Sequence, residues 1–425
     1  MKGEVEMTRK LITFLGTGCY DPCTYHLHGV VAEPTKYIQE AILDIHEKME
    51  KPIDEFHILL TSQAKEKNWL GEEALLKRLE KYDGEYLRIV EHEISFEQNM
   101  DNLWKLFETI VNIMEKDDEI VFDITHSFRF QPMLALLSLH FARVTKGISV
   151  SAIYYGVYDP SADVKEFPVL DLTPFVDMQD WVTNVYAFSR TGRVEGLTSW
   201  IQEKDREIRK EERRTTMDLQ LVQNLANSWY DLMSALQTNR SMAIPEKAEQ
   251  AIEHIEAIKD AGVELRPVFL PLNDVLTDVE EKVKPMTADD PVQSGIAAIE
   301  WCYQHGLFQQ AYTMTDELMI TVICEKFQLD KKDLDTRFLA NNSLNKAINI
   351  VQKKNKEISN FDQRIVEDLL KFPLLVKIMD LIKDNRNDIN HAGWRANPLD
   401  AATLEKHFHK NFSDYKKLLL EYYHS

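Results

Sequence analysis

From Leu11 to Gly156 the apolar positions come in short runs separated by amphipathic stretches. Leu11–Leu15, Phe56–Leu60, Tyr86–Ile94, Ile120–Ile124 and Val150–Tyr155 have strand length and are rich in β-branched or aromatic residues. Between the third and fourth runs, Leu103, Leu106, Phe107, Ile110, Val111 and Met114 recur at the period of an amphipathic helix. Strand and helix patterns alternate, which predicts a mostly parallel sheet with right-handed crossovers. Beyond Pro174 the strand signal fades. Val185, Phe188, Leu197, Trp200 and Ile201 then open a series of helical apolar faces that continues to the end of the chain. A chain of 425 residues exceeds one ordinary core. The pattern predicts an α/β sheet domain over residues 1–175 and a helical region over residues 176–425. Pro285–Pro291 reads as a loop, and Gln202–Arg214, mixed in charge, as a solvated helix surface.

Four of the strand runs end in small or polar residues: Gly16-Thr17-Gly18, Thr61-Ser62, Thr125–Arg129 and Tyr155-Gly156. Open parallel sheets bind ligands beyond the carboxyl ends of their strands, so these clusters point to one shared pocket. Turn chemistry alone accounts for the glycines. It accounts less well for the pairing of His126 with Arg129. The densest segment is Asp123-Ile124-Thr125-His126-Ser127-Phe128-Arg129-Phe130-Gln131-Pro132, between a buried strand and a helix-length run that begins at Met133. Thr125 and Ser127 are candidate caps, and Pro132 suits a first helical turn. Unsatisfied N–H groups at such a junction attract anions. Thr, His, Ser and Arg side chains within five residues add further donors, which suits a phosphate-bearing ligand.

Composition narrows the function classes. The formal charge of −20 argues against a broad duplex-binding face but leaves room for a narrow cleft acting on a single strand. No apolar run has membrane-spanning length, and Met1–Lys10 lacks the apolar core of a secretory signal. Four cysteines do not make a disulfide framework, so a cytoplasmic location is expected. Cys19, Cys23, His26 and His28 lack the separated ligand pairs of structural zinc sites; a loop over the pocket is expected there, with no metal. Gly16-Thr17-Gly18 is no dinucleotide fingerprint, because Asp21 stands where the third glycine would fall. Cys302 and Cys324 lie on apolar helical faces and read as core. His140 and His305 read as ordinary helix or turn residues.

Near the C-terminus, Leu375, Ile378, Met379, Ile382 and Ile389 form a helical stripe, with Pro373 suited to its start and Gly393 to its end. Asn387 and His391, four apart, share a face of that helix. Arg386 lies about 100° round it, near enough for its long side chain to reach back. These are suitable parts for cutting RNA without metal. An imidazole, with a reference pKa of about 6.5, gives or takes a proton at neutral pH. A guanidinium holds a phosphate and offsets charge growing on its oxygens. RNA supplies its own nucleophile, the 2′-hydroxyl. A symmetric dimer would set two such groups face to face. Arg-x4-His alone equally suits a capping Arg and a partly buried His near a helix end.

Taken together, the motifs carry a resemblance. Phe14-Leu15-Gly16-Thr17-Gly18, Leu60–Ala64 with Asn68-Trp69, Asp123–Pro132, Tyr155-Gly156, Pro168–Thr173, Asp180-Trp181 and Arg386–His391 resemble the CARF–HEPN ancillary ribonucleases of type III CRISPR systems. The resemblance implies a Rossmann-like CARF sensor domain with a mostly parallel sheet, followed by an all-α HEPN ribonuclease domain. It implies that Arg386 and His391 are the nuclease residues with Asn387 as helper, the polar residue after Arg386 also agreeing with the family pattern. It implies that Gly16, Thr17, Gly18, Thr61, Thr125, His126, Ser127, Phe128 and Arg129 bind the effector. The implied effector is a cyclic oligoadenylate, the tetra-adenylate ahead of the hexa-adenylate. The implied partners are single-stranded RNA and further copies of the chain, as a homodimer or higher homo-oligomer, with no membrane and no cofactor. The alternative is a cyclic-oligoadenylate-binding sensor or scaffold without ribonuclease activity, or one whose CARF domain degrades its ligand. Residues 205–330 carry no motif of the family.

Overall fold

The computed structural model describes residues 7–82, 87–97, 99–212, 216–260, 269 and 272–425. It divides into two compact units, Met1–Gln179 and Asp180–Ser425. The first unit is built on eight strands: β1 (Arg9–Leu15), β2 (Thr24–Leu27), β3 (Val30–Val31), β4 (Glu55–Leu60), β5 (Arg88–Glu93), β6 (Glu119–Asp123), β7 (Ser149–Gly156) and β8 (Glu166–Asp171). They form one sheet in the order β3-β2-β8-β7-β6-β1-β4-β5. The five strands expected from apolar runs are the parallel core, β5-β4-β1-β6-β7.

The inner strands are apolar on both faces because both faces are covered. Leu11 and Leu15 of β1 pack with Ile38, Ile42 and Ile45 of the Ile38–Lys48 helix. Ile12 and Phe14 point the other way, into a cluster with Ile110 of the Met100–Ile113 helix and Leu139 of the Gln131–Lys146 helix. The alternation is the strand period of two. From β1 the chain winds outward through β4 and β5, then returns to the other side of β1 as β6 and β7. The carboxyl ends of β1 and β6 therefore flank the switch point, where open sheets leave a crevice.

Three strands correct the expectation from apolar runs. β2 and β3 form a short antiparallel hairpin at one edge, and β8 pairs antiparallel with β7. The Cys19–His28 segment is thus not a plain loop. His26 lies in β2, and Cys23, buried, is bridged to Thr35. The apolar signal is weak because Thr24, His26 and Pro168 interrupt β2 and β8, which are only partly buried. Tyr86, the first residue of the third expected run, lies outside the described residues.

The second unit is helical. Its core joins Trp181, Phe188, Trp200 and Trp229 to Cys302, Cys324 and the apolar faces of the last helices, so both cysteines are core residues. His305 follows the Pro291–Gln304 helix, stacked 4.2 Å from Trp301, and its Nδ1 hydrogen-bonds the Trp301 carbonyl at 2.8 Å. The expected Pro285–Pro291 loop is in part ordered. Lys284–Thr287 is a 3₁₀ turn, because Met286 is driven into the core. The charged Gln202–Arg214 stretch belongs to the Glu195–Glu212 helix, with Arg213 and Arg214 outside the described residues. No helix among the described residues is long and apolar enough to cross a membrane.

Candidate functional site

The crevice at the ends of β1 and β6 is built around a buried carboxylate. Asp123, the last residue of β6, lies opposite Thr13 in the register and accepts its hydroxyl at 2.7 Å. The other carboxylate oxygen accepts the Thr125 amide at 3.0 Å and the Thr125 hydroxyl at 2.5 Å. Burial pushes the Asp123 carboxyl up, and the bonds from Thr125 and Thr13 oppose that shift. The Thr125 oxygen in turn accepts the Gly156 amide at 2.8 Å. One chain of bonds therefore ties β1, β6 and β7 together at their carboxyl ends and sets the 124–130 turn.

Gly16 packs against that turn. A Cβ there would stand 2.8 Å from the Tyr20 hydroxyl and 3.6 Å from the His126 Cβ, so close approach demands glycine. Tyr20 lies with its ring 4.4 Å from the His126 ring. Burial pushes its phenol up to about 12, and the nearby Gly18 and Gly16 backbone opposes that shift. Asn68 fastens the glycine loop from the far side, donating to the Gly16 and Gly18 carbonyls at 2.8 and 3.0 Å, while Lys67 donates to the Thr17 carbonyl at 2.6 Å. Thr61 acts through this same turn. Its hydroxyl accepts the Ala64 amide at 3.2 Å and caps the segment that carries Lys67 and Asn68.

The remaining expected residues divide. His126 is neutral at pH 7, because burial lowers it to about 4; its Nε2 is buried without a hydrogen-bond partner. Arg129 is exposed. Neither Thr125 nor Ser127 caps the following helix. Thr125 is engaged with Asp123, and the Ser127 hydroxyl donates to the Ile124 carbonyl at 2.6 Å. The helix N-terminus has no side-chain cap; Gln131 instead accepts the amide of Phe128 in the preceding turn at 2.7 Å, and Pro132 lies in the first helical turn as its type predicts. A recess lies at the end of β5, against Phe96, Phe128 and Phe130. Asp123 and Asn68 lie within the motifs at the strand ends, but nothing in the sequence marks Tyr20 as part of the site.

In the second unit the Pro373–Asn390 helix buries Leu375, Ile378, Met379 and Ile382, as its stripe predicts. Arg386 is half-buried and ion-paired to Asp316 of the Phe308–Lys326 helix. Asp316 is 2% exposed and also holds Lys383 at 2.9 Å. Lys383 in turn donates to Asn341 at 2.7 Å. Asn387 and His391 are exposed, and His391 is the C-cap. The turn that follows is tied back: Gly393 donates to the Asp388 carbonyl at 3.0 Å, and the Leu399 amide donates to the buried Asp388 carboxylate at 2.8 Å. The helix thus places Arg386, Asn387 and His391 on its last two turns. Among the described residues no hydrogen bond links Arg386 to His391. A phosphate could meet the guanidinium and the imidazole, but one copy supplies a single set.

Residues 10–160 match the family described as the CARF domain of the CRISPR system endoribonuclease Csx1. The sheet unit is CARF-like. Residues 177–286 match the second domain of CRISPR-associated protein MJ1674. The CARF match ends after β7, and the crevice described above lies within it. The full MJ1674 protein of Methanocaldococcus jannaschii is 25% identical over 295 residues, which cover 66% of this chain and 43% of that protein. The chain thus spans less than half the length of this relative. Among solved structures, Enterococcus italicus Csm6 bound to cyclic hexa-2′-fluoro-hexa-dAMP aligns with 98% of this chain and 94% of its own, at 12% identity and a TM-score of 0.36.

Proposed function

We propose that the protein is a cyclic-oligoadenylate-activated, metal-independent endoribonuclease of type III CRISPR antiviral defence that cuts single-stranded RNA in the cytoplasm. The observation that carries this reading is the presence, in one chain, of a CARF strand-end crevice and of an Arg386–His391 pair at the end of a helix. In the crevice, the Gly16–Gly18 loop, Thr125 and Arg129 would meet ring phosphates. Displacement of Tyr20 from the glycine loop would open the loop to an anion. Cyclic tetra-adenylate is the first candidate and cyclic hexa-adenylate the second.

In the helical unit, a HEPN-type site would form from two copies. The 2′-hydroxyl attacks the adjacent phosphorus while the bond to the 5′-oxygen breaks, giving a 2′,3′-cyclic phosphate and a 5′-hydroxyl. His391 moves the proton, as acid or base. Arg386 offsets charge on the non-bridging oxygens, and Asn387 orients the phosphate. A homodimer is supported by the apolar face of the first unit. Met133, Leu137, Phe141 and Val144 of one helix and Met100 and Trp104 of another are exposed, with Phe107 in ring contact with both Trp104 and Phe141. A soluble surface seldom leaves such a patch uncovered. Ring binding and RNA cleavage are then coupled free energies; where RNA binding is part of that coupling, it is reciprocal.

The test is cleavage of labelled RNA in EDTA with a panel of cyclic oligoadenylates. Cleavage that depends on one ring size, and products ending in 2′,3′-cyclic phosphate, are expected. Loss of activity in EDTA, or cleavage indifferent to every ring, would refute the reading.

A further inference from the structure

The turn that follows the Pro373–Asn390 helix holds one large ring out in solvent. Trp394 is 89% exposed, and no other large apolar side chain from residue 375 to the C-terminus is exposed. Among the described residues no second ring stacks on it. The chain around it is nevertheless fixed. The Trp394 amide donates to the His391 carbonyl at 2.9 Å, and the Arg395 amide donates to the Gly393 carbonyl at 2.8 Å. Arg395 also grips Asp384, donating to its carboxylate at 2.8 Å and to its carbonyl at 3.1 Å. Ala392 is held at φ 52°, a left-handed conformation that residues with a side chain seldom adopt. Such strain persists where the surroundings impose it, and here bonds on both sides do. A loose turn would let an indole fold back onto apolar surface; this one presents it.

A protein partner is a poor match for a ring so placed, because interfaces need a contiguous apolar patch. The exposed neighbours of Trp394 in the turn are small or polar: Ala392, Arg395, Ala396 and Asn397. A nucleobase needs only one free aromatic face. The bond from Trp394 to His391 closes a turn whose ends lie less than about 7 Å apart, so one nucleotide spans both side chains. We propose that Trp394 stacks on the base of the nucleotide adjoining the scissile phosphate of the RNA, with Arg395 fixing the turn through Asp384. The proposal rests on the nuclease reading above and adds to it a residue that positions the substrate without touching the reacting atoms. Stacking accepts any base, so the ring holds the strand without selecting its sequence.

The experiment uses the full-length protein, a panel of cyclic oligoadenylates and two probes. One is labelled RNA, followed for kcat and KM. The other is a 2′-O-methyl oligonucleotide, which lacks the attacking hydroxyl, carrying 2-aminopurine, a base whose fluorescence is quenched on stacking. The wild type is expected to cut the first and quench the second. Trp394→Ala should raise KM about tenfold, leave kcat within about twofold and remove most of the quench, as loss of one base stack does. Trp394→Phe should recover most of both. An unchanged KM and quench in Trp394→Ala would overturn the stack and leave the nuclease reading intact. Dissociation of assembled copies in Trp394→Ala, with KM unchanged at saturating protein, would show the ring covered by a second copy and overturn it too. A wild type that cuts no RNA under any ring, yet quenches the second probe through Trp394, would overturn the nuclease reading and keep the stack. Neither cleavage nor quenching would overturn both.

Discussion

The strand-end crevice and the helix-end pair are built on opposite plans. In the crevice, backbone and short side chains close on one another: Thr13, Asp123, Thr125 and Gly156 are bonded in series, and Asn68 locks the glycine loop. Such a site is organised before any ligand arrives. At the helix end, Arg386 is anchored by Asp316, but Asn387 and His391 face solvent. On the proposed reading, the difference is one between a receptor held ready and a nuclease that a second copy would complete.

The largest expected effect separates the two regions outright. Arg386→Ala or His391→Ala should lower ring-dependent RNA cleavage by about 10²- to 10⁴-fold, the range for loss of a proton-transfer group, while ring affinity stays within about twofold. Full cleavage by His391→Ala would remove the helix end from the comparison. Next, Asp316→Ala leaves Lys383 and Arg386 without their shared carboxylate. Breaking a buried pair costs about 3–5 kcal/mol, and the partial exposure of Arg386 brings the expected loss nearer to about 2 kcal/mol. Thermal unfolding should show the second unit weakened, with ring binding unchanged.

The first unit should respond to pH instead. Burial lowers His126 and His92 to about 4, from the ordinary 6.5. Between these values the unfolded chain takes up protons that the folded chain refuses, so stability is full above pH 6.5 and falls as pH drops toward 4. Each group contributes at most about 1.4 kcal/mol per pH unit in that window. His126→Gln should flatten the slope by up to one proton; an unchanged slope in a denaturant series would contradict its burial. The smallest effects should come from the loop itself. Tyr20→Phe removes the hydroxyl packed against Gly16, making room for a phosphate, and should tighten ring binding by a few fold, whereas Thr125→Val cuts the link to Gly156 and should weaken it by about five- to tenfold, near 1 kcal/mol. Equal affinities in a calorimetric titration of both variants would show the loop to be a bystander.

Much of this was legible along the chain. Strands β1, β4 and β6, covered on both faces, announce themselves as continuous apolar runs, and the stripe from Leu375 to Ile382 marks its helix. Thr125 was visible as a donor-rich position, yet its role as a latch was not, because its partners Asp123 and Gly156 come together only through strand register. β2 and β8 carry no unbroken apolar pattern, because Thr24, His26 and Pro168 interrupt them and only part of each is buried. Tyr20 carried no mark at all: its importance lies in touching Gly16 and His126, which are far apart along the chain.

Taken alone, the order of residues settled the alternating strands and helices of the first unit, the helical nature of the rest, and the residue types gathered at strand ends and at the last turns of one helix. These follow from periods of two and 3.6 and from capping chemistry, which act within a few residues. The tertiary structure decided which donors remain free, that a tyrosine lies against the glycine loop, that an aromatic recess stands beside the crevice, and that Arg386 leans on Asp316. Those outcomes require segments tens of residues apart to meet, and packing around a shared core, rather than local preference, chooses the meeting points.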